Sequence, residues 1–493
     1  MSRARALTIV TLLWAAIYLP SLGLFEIRGE EGRRILPGIA MLETGNYLVP
    51  QVGGEDYFRK PPLINWLIAG SFRLFGAQNE WTARAPSVLC VLLAAIAFIT
   101  VGRRALGPGG SFIAAVVWLT NVGIVQKGRL IEIEALYVSL VAIALIFWLS
   151  WWTEERSPWL TWIVPWIFLG FALLAKGPTH LLFFYAVILA VLWKTKQWRA
   201  LFHPAHLLGI LIMLGIFGAW GIPFLHATQS GKAVTKWSSQ FTGRFTGEIF
   251  TFSVWITCIP RAVAYFLPWL LLAPLFRFGK FADPREAQMA RAMVWAAAVP
   301  LVLVSLIPGS APRYSLPAMV PFCWLLGLVF SRAAVAVPAW LQKTPTAGAT
   351  AITEEAKADT GIWPGGPVFR KLGTLFIVLA VLAGVAGYPI WALASHSREK
   401  VKNIADQINA VVPPRETFYA VDPNYQPFFF YMHAPVRYVG SLTELPYETN
   451  YFVTRPVLET EAGQSEQWAP RHAHSILKVK DYRHQTMVVF RVE

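Results

Sequence analysis

The sequence predicts a polytopic α-helical membrane protein that carries a small soluble α/β domain at its C-terminal end. Of its 493 residues, 55% are hydrophobic and 14% are charged, and the mean hydropathy is +0.48. Several apolar runs approach the ~20 residues that a helix needs to cross a bilayer. Basic residues cluster in alternate short loops between these runs, as the positive-inside rule describes. This pattern excludes an ordinary soluble protein, and it explains the net charge of +15 without a nucleic-acid partner.

About eleven spans are expected. The first is interpreted as a retained helix because it lacks a small-residue cleavage site. The apolar run over 63–75 is short, which favours a re-entrant or interfacial helix. The spans are predicted at 6–24, 84–102, 110–127, 131–152, 158–175, 178–194, 204–226, 260–277, 291–308, 313–331 and 371–394.

The basic loops also predict an orientation. If the N-terminus with Arg3 and Arg5 is cytoplasmic, every basic cluster in a short loop falls on the same side. We therefore assign residues 1–395 to the membrane part and place an outer catalytic loop at 25–80. A polar, Gly/Pro/Ala-rich segment at 333–369 is expected to be a mobile cytoplasmic loop.

The last hundred residues have the pattern of a soluble domain, which we assign to 396–493. A helical period runs over 398–412 and is followed by short β-type runs at 417–421, 436–439, 451–453 and 487–492. The alternation of loops places this domain on the outer side. The three cysteines, Cys90, Cys258 and Cys323, lie in or beside apolar stretches and indicate no disulfide or metal framework.

The first long interruption between apolar runs, residues 25–66, concentrates charged groups beside the membrane. It contains the acidic pair Glu30 and Glu31, followed by Arg33 and by a helix-period run typical of a surface helix. A solvated acid pair balanced by Arg33 is one interpretation, and a catalytic pair is the other. The loop ends with Tyr-Phe-Arg-Lys-Pro-Pro, which places Arg59 and Lys60 at the start of the next apolar run.

Glu134 is the second acidic position of interest, because it stands at the start of an apolar helix. A carboxylate at that depth is costly unless it has a cation, a metal or a hydrogen-bond donor as a partner. We expect Arg129 or the basic opening loop to supply the cation. Stabilisation by the helix dipole alone is the simpler alternative.

Three basic residues lie beside proline at outer membrane boundaries. They are Lys60, Lys176 and Arg313, and Arg244 is a weaker fourth. A single boundary cation is usually a snorkelling anchor. Three at tight Pro/Gly breaks on the side that the positive-inside rule disfavours instead indicate an anion site, such as one for a lipid phosphate. No nucleotide-binding loop, metal-ligand spacing or serine triad is present, so energy has to arrive with an activated substrate.

These motifs resemble, in order and spacing over about residues 10–330, those of the GT-C integral-membrane glycosyltransferases. The group concerned contains the lipid A aminoarabinose transferases and the protein O-mannosyltransferases. The family's Asp-Glu-x-Arg stands here as Glu30-Glu31-Gly32-Arg33, and its Tyr-Phe-Glu-Lys-Pro-Pro-Leu as residues 57–63. Its Arg-Leu-x-x-x-Asp stands as residues 129–134, and two further motifs stand as residues 176–178 and 313–317. Two family aspartates are therefore Glu30 and Glu134 here, and a family glutamate is Arg59.

The resemblance implies inverting transfer of a sugar from a polyprenyl-phosphate donor to a lipid, glycan or protein acceptor at the outer face of a bacterial inner membrane. Lipid A modification and other envelope reactions belong to this class. Glu30, Glu31 and Glu134 would be the catalytic acids, with Glu30 as the base. Lys60, Lys176, Arg313 and Tyr314 would bind the donor phosphate, and Arg33, Arg59, Arg129 and Arg244 would support them. A divalent metal at Glu30 and Glu134 is a further expectation, with Arg33 or Arg129 as the partner of Glu134.

Two other classes remain open at this point. The altered acids leave room for a GT-C-like scaffold or sensor without the ancestral activity. A transporter is disfavoured, because it would place charges near the membrane midplane in repeated halves. Here the charges lie at the outer ends of the spans, and no repeat is visible.

Overall fold

The structure is a computed structural model that describes most of the chain. The described residues are 1–228, 230–243, 250–272, 279–335, 367–396, 400–423, 426–480 and 485–493. Arg244 and most of the predicted loop 333–369 lie outside them.

Within the described residues, seven helical segments are long and apolar enough to cross a membrane, and a bent pair makes an eighth. The bent pair is α5 with α6, which meet at an angle of 57°. The first ten described helices are α1 Arg3–Tyr18, α2 Gly32–Thr44, α3 Leu63–Phe75, α4 Glu80–Thr100, α5 Arg103–Thr120, α6 Val122–Gly128, α7 Ile133–Thr153, α8 Pro158–Lys176, α9 His180–Thr195 and α10 Pro204–Ala227.

The remaining helices are α11 Ser230–Thr242, α12 Phe252–Ile256, α13 Cys258–Ala264, α14 Pro284–Leu306, α15 Met319–Arg332, α16 Pro367–Leu382, α17 Tyr388–His396, α18 Val401–Asn409 and α19 Glu459–Gln464. A 3-10 turn, Pro312–Ala318, leads directly into α15, and the two together make one membrane-length segment. The segment Gly373–Ser395, which contains a π-helical stretch between α16 and α17, is another.

The polytopic fold is confirmed, but the predicted eleven spans exceed the membrane-length segments that the structure describes. Two of the predicted spans, α1 and α9, are helices of only 16 residues. The predicted span 260–277 is not one helix. Its described part, 260–272, consists of the end of α13, a turn and a 3-10 segment Trp269–Leu272. Pro268 lies between them, and a proline in a helix interior removes a hydrogen bond and clashes with the preceding turn.

The helix α7 occupies the centre of the bundle and sets the depth of the site. It packs against α4 on one side and α8 on the other, and nearly all of its side chains are buried. Its first turn is reached from the opening loop, from the end of α8 and from the turn before α15. The motifs are distant in sequence, but residues of these elements line one cavity at the first turn of α7.

The opening loop contains the helix α2, which packs against other parts of the protein. After a 3-10 turn, Gly29–Glu31, the chain enters α2, which packs against α3 and buries Ile35. The hairpin strands β1 Gln51–Val52 and β2 Glu55–Asp56 follow, and a second small pair is β3 Gly279–Phe281 with β4 Ala333–Val335.

The C-terminal part forms a five-stranded mixed sheet in the order β6-β5-β7-β9-β8. Its strands are β5 Phe418–Val421, β6 Val436–Val439, β7 Tyr451–Thr454, β8 Ala473–Lys480 and β9 Thr486–Val492. Strand β5 is parallel to its neighbours β6 and β7, whereas β9 is antiparallel to both β7 and β8. The sequence did not predict β8, because this edge strand is largely exposed and carries histidine, serine and lysine.

Backbone contacts fix the sheet to the opening loop. The amide of Tyr438 on β6 donates to the carbonyl of Gly53 in the hairpin turn at 2.8 Å. Gly53 has a φ of +61°, and a Cβ there would lie 2.8 Å from the Tyr438 nitrogen. Only glycine combines that conformation with so close an approach. Glu26 completes the junction, since its Oε2 accepts hydrogen bonds from the backbone amides of Val401 and Lys402 at 2.6 and 3.2 Å.

Candidate active site

A cavity of about 290 Å³ lies where the opening loop meets the first turn of α7. Six cationic and three acidic side chains line it, with tyrosines and glycine between them. The charged residues are Glu30, Arg33, Arg34, Arg59, Lys60, Glu132, Glu134, Lys176 and Arg313. The three proline-flanked cations predicted to share an anion site, Lys60, Lys176 and Arg313, therefore do line one cavity.

Glu134 is the buried acid at the floor of this cavity, and it is 6% exposed. Its Oε1 accepts hydrogen bonds from Lys176 Nζ at 3.1 Å and from Arg313 Nε at 3.2 Å. The expectation that Arg33 or Arg129 would be its partner is wrong. The end of α8 and the turn before α15 reach the first turn of α7 more directly than the opening loop does. Glu134 thus holds two cations side by side.

Two aromatic rings also contact the ammonium of Lys176. Its ammonium lies 4.7 Å from the ring centroid of Tyr314 and 4.9 Å from that of Tyr137. Contacts of this kind stabilise a cation without neutralising it. Tyr314, predicted as part of the donor site, therefore lines the cavity and packs against one of its cations.

Glu30 and Glu31 are neighbours in sequence but have different surroundings. Both oxygens of Glu30 accept from Arg33 Nη1, at 3.0 and 2.8 Å, and its side chain is 29% exposed. Glu31 is 1% exposed and forms an ion pair with Arg84, with two hydrogen bonds of 2.9 and 2.8 Å. It also accepts from the amides of Ile131 and Arg28. Glu30 therefore lies at the cavity, whereas Glu31 is a buried clamp beneath it.

Sequence analysis missed Arg84, which lies in the first turns of α4 and is 1% exposed. Besides Glu31, it donates to the carbonyls of Leu22, Phe25 and Glu26 at 2.8–2.9 Å. Its position near the start of an apolar span was the available signal, since arginine there is expensive without partners. Arg84 thus holds the chain that leads into the opening loop.

Arg129 is also structural, although its motif position suggested support of the catalytic acids. It is 1% exposed and donates to the carbonyls of Ile17 and Pro20. Its guanidinium stacks on the ring of Tyr388 at 3.9 Å. Arg129 therefore fastens the end of α1 to α17 and does not line the charged cavity.

A second cavity, of about 1420 Å³, lies between the opening loop, α6 and the C-terminal sheet. Its wall carries acids from the loop and lysines from the sheet and its approach, including Lys400, Lys478 and Lys480. Glu30 and Glu132 line both cavities. We call the position of these two residues the shared wall. Sequence analysis singled out the stretch that contains Glu132 but assigned no role to this residue.

A divalent metal at Glu30 and Glu134 does not fit the donor set. Glu134 already accepts from two cations, and both oxygens of Glu30 accept from Arg33. Among the residues that the structure describes, no group of three His, Cys, Asp or Glu side chains is placed to hold a metal ion.

Comparison with known proteins supports the same group as the motifs. Residues 59–222 match the family described as dolichyl-phosphate-mannose-protein mannosyltransferase. An undecaprenyl phosphate-α-4-amino-4-deoxy-L-arabinose arabinosyl transferase of Pseudomonas fluorescens is 26% identical over 336 residues. A protein of the same name from Pseudomonas aeruginosa is 27% identical over 338 residues. Each alignment covers 66% of this chain and 60% of the relative, so the chain matches about three-fifths of the length of these relatives.

The fold of this chain matches a solved structure over nearly the whole length of the chain. The crystal structure of ArnT from Cupriavidus metallidurans bound to undecaprenyl phosphate superimposes with a TM-score of 0.72 at 17% identity. The match covers 99% of this chain and 97% of that one. The apo structure of the same protein gives a TM-score of 0.69. Sequence and fold therefore both support a GT-C glycosyltransferase of the aminoarabinose transferase and protein O-mannosyltransferase type.

Proposed function

We propose that the protein transfers a sugar from a polyprenyl-phosphate carrier to an acceptor, with inversion at the anomeric carbon. The observation that carries the proposal is the cavity in which six cations face three acids. Such an excess of fixed positive charge in one cavity suits a phosphate whose negative charge increases as its bond to the sugar breaks. The names of the relatives point to the same donor class, since they are undecaprenyl-phosphate sugar transferases.

An adjoining apolar cavity supports a lipid-linked donor. It has a volume of about 160 Å³ and shares Arg59, Lys60 and Lys176 with the charged cavity. Its other walls include Leu173, Phe217 and Trp237 from α8, α10 and α11. A phosphate held by the shared cations would place its first isoprene units against these apolar side chains.

In the proposed reaction, a bond forms between the acceptor and the anomeric carbon while the bond from that carbon to the phosphate oxygen breaks. The bonding electron pair leaves with the polyprenyl phosphate. Lys60, Lys176 and Arg313 stabilise that charge, and Glu134 keeps the latter two in position. Glu30 faces the acceptor's side and orients the attacking group. A single displacement inverts the configuration.

We also propose that the site and the C-terminal sheet face the outside of a bacterial inner membrane. The cavity-lining loops and the sheet lie at one end of the bundle, and the basic loops predict that the opposite end is cytoplasmic. Single cysteines at Thr44 and Gln464, in a chain lacking Cys90, Cys258 and Cys323, should react in intact cells with an impermeant maleimide. Protection of both sites, with an external control labelled, would overturn this orientation.

The function is tested with purified protein in liposomes and a panel of polyprenyl-phosphate sugars. Release of polyprenyl phosphate and formation of glycosylated acceptor are measured per folded molecule. We expect the wild type to be active and Lys60→Met to be slower by about 10²–10³-fold, as when a preorganised donor is removed. Lys60→Arg should recover part of the rate, because it keeps the charge but changes its shape.

One outcome would contradict the role of Lys60, and another would contradict the transferase function. An unchanged rate in Lys60→Met, with lower expression, would make Lys60 a membrane anchor. No release or transfer by the folded wild type with any donor would favour a scaffold or sensor.

A further inference from the structure

We infer that His180 is a positioning residue for the proposed reaction, because it holds the chain break after α8 so that the ammonium of Lys176 faces the donor phosphate. This inference rests on the proposed function and specifies it further. His180 lines neither the charged cavity nor the adjoining apolar one, and it acts through one of the cations that line both.

The break consists of Gly177, Pro178 and Thr179, which join α8 to α9 and line the apolar cavity proposed for the lipid chain. Gly177 has a φ of +105° and a ψ of −171°, a region that essentially only glycine enters. Because glycine can also adopt many other conformations, neighbouring contacts have to hold the break in this one. Lys176 is the last residue of α8, so the direction of its side chain depends on how the break is fixed.

His180 supplies one such contact. It is the first residue of α9, its side chain is fully buried, and its Nδ1 lies 3.0 Å from the carbonyl oxygen of Gly177. A carbonyl can only accept, so Nδ1 carries the proton and donates it. The other ring nitrogen, Nε2, is shielded from solvent and has no hydrogen-bond partner among the described residues. The one hydrogen bond that the ring makes within the described part of the chain therefore goes to the break.

Tyr137 connects the same break to the ammonium of Lys176. Its hydroxyl lies 2.9 Å from that of Thr179, and its ring meets the ring of His180 edge to face, with centroids 6.3 Å apart. The centroid of the Tyr137 ring is also 4.9 Å from the ammonium. Tyr137 follows Glu134 by three positions on α7, so both side chains lie on one face of that helix and both contact Lys176. His180 thus holds the break and packs against the ring that the ammonium contacts.

The placement of this ammonium matters because it has to meet a negative charge that develops during the reaction. Lysine carries its charge on a flexible four-carbon stem, so the surroundings decide where the ammonium lies. A misplacement of about 1 Å can lower a rate by about 10²-fold, even when the changed residue is remote from the chemistry. Loss of the positioning contact cannot cost more than loss of the ammonium itself, which sets an upper limit of about 10²–10³-fold.

The test uses two substitutions, each of which keeps a hydrogen-bonding group near one nitrogen of the ring. The amide nitrogen of asparagine can replace Nδ1, and that of glutamine can replace Nε2. We expect His180→Asn to keep the bond to Gly177 and to recover most of the rate. His180→Gln should lower kcat by about 10–10²-fold with little change in KM, because the lost interaction acts in the transition state.

His203→Gln is the matched control. The Nδ1 of His203 also bonds to the backbone, but its ring lies against Trp159 at the opposite end of α8 from Lys176. Its rate should equal that of the wild type.

A second background shows whether His180 acts through Lys176. Residues that act through one another are not additive, so His180→Gln should lower the rate little further in a Lys176→Met protein. Binding of polyprenyl phosphate in liposomes gives a readout that needs no transfer. This product carries the charge that develops in the transition state, so its Kd should rise by at least about tenfold in His180→Gln and little in His180→Asn.

Three results overturn the inference. They are a wild-type rate in folded His180→Gln, equal losses in His180→Asn and His180→Gln, and the same fold-loss from His180→Gln with and without Lys176→Met. If His180→Gln does not fold, Tyr137→Phe decides, because it removes the bond to Thr179 and keeps the ring. A loss confined to the Lys176 background supports the inference, and a loss in both backgrounds or in neither overturns it.

Failure of the proposed function is distinguishable from failure of this inference. Absence of transfer by the folded wild type contradicts the proposed function. The affinities of the two His180 variants for polyprenyl phosphate then decide the role of this residue.

Discussion

Two buried ion-pair networks lie beneath the opening loop, and they differ in what they leave accessible. In the first, Arg84 and Glu31 use their hydrogen-bonding groups on each other and on neighbouring backbone, with side chains 2% and 1% exposed. In the second, Lys176 and Arg313 share one carboxylate, and both still face a cavity. The Arg313 side chain is 31% exposed.

The difference separates stability from function. A network whose groups are all satisfied internally can only hold the loop in place, because any ligand would have to break it. A network with two cations on one carboxylate keeps net positive charge at a fixed position. The protein thus uses the same residue types for support in the first network and, under the proposed function, for phosphate binding in the second.

The largest effect on stability is expected from breaking the first network, the ion pair of Arg84 and Glu31. Arg84→Met leaves Glu31 as a buried charge without its partner, which typically costs ~3–5 kcal/mol. We expect a large fall in the yield of folded protein and in its thermal stability in detergent, with activity lost in proportion. Arg104→Met is the control, because Arg104 is 75% exposed and lies 3.9 Å from Glu154. A fully stable Arg84→Met protein would contradict the assignment of Arg84 as a clamp.

Breaking the second network, in which Lys176 and Arg313 share Glu134, should lower the rate of sugar transfer more than the stability of the protein. In Lys176→Met, Arg313 still pairs with Glu134, so the protein should fold, while one phosphate-facing cation is lost. We expect turnover per folded molecule to fall by about 10²–10³-fold. Lys194→Met is the matched control, because Lys194 lies at the far end of α9 against Trp193. Equal thermal stability with an unchanged rate would remove Lys176 from the site.

A smaller effect is expected at the junction with the C-terminal sheet. The hydroxyl of Tyr431 donates to Glu80 at 3.0 Å and accepts from the amide of Ile27 at 2.7 Å. Tyr431→Phe should weaken this junction by ~1–3 kcal/mol. The expected result is faster amide exchange in α18 and residues 427–431, with a rate change below about tenfold. Tyr447→Phe is the control, since the exposed Tyr447 hydroxyl makes a long hydrogen bond of 3.4 Å to the Ala469 carbonyl. Equal exchange in the two variants would contradict this role.

The membrane fold and the meeting of the three cations could be predicted because both follow from local rules. Apolar length places the spans, and charge bias places Lys60, Lys176 and Arg313 at one end of the bundle. A glycine or proline break beside each cation indicates where the chain leaves a helix. The short helices α1 and α9 and the break at Pro268 show the limit of these rules, since packing decides whether an apolar run is one helix.

The pairing of charges could not be predicted in the same way. Arg84 and Glu31 are 53 positions apart, and Arg313 and Glu134 are 179 apart. Several basic residues could have reached each acid, and only the packing of α7 against α4 and α8 decides which do. Glu132 was overlooked because Glu134, two residues later, matched a motif. Glu132 pairs with Lys127 and lines both cavities, which only coordinates reveal.

The shared wall has a consequence for the order of events in a catalytic cycle. Because Glu30 and Glu132 border two cavities, the donor and acceptor of the proposed reaction need not take turns in one cavity. Both substrates can be bound before either product leaves, which corresponds to a sequential mechanism through a ternary complex. No sugar then has to be stored on the enzyme. The spent carrier and the glycosylated product can depart by separate exits, so accumulation of one need not obstruct the release of the other.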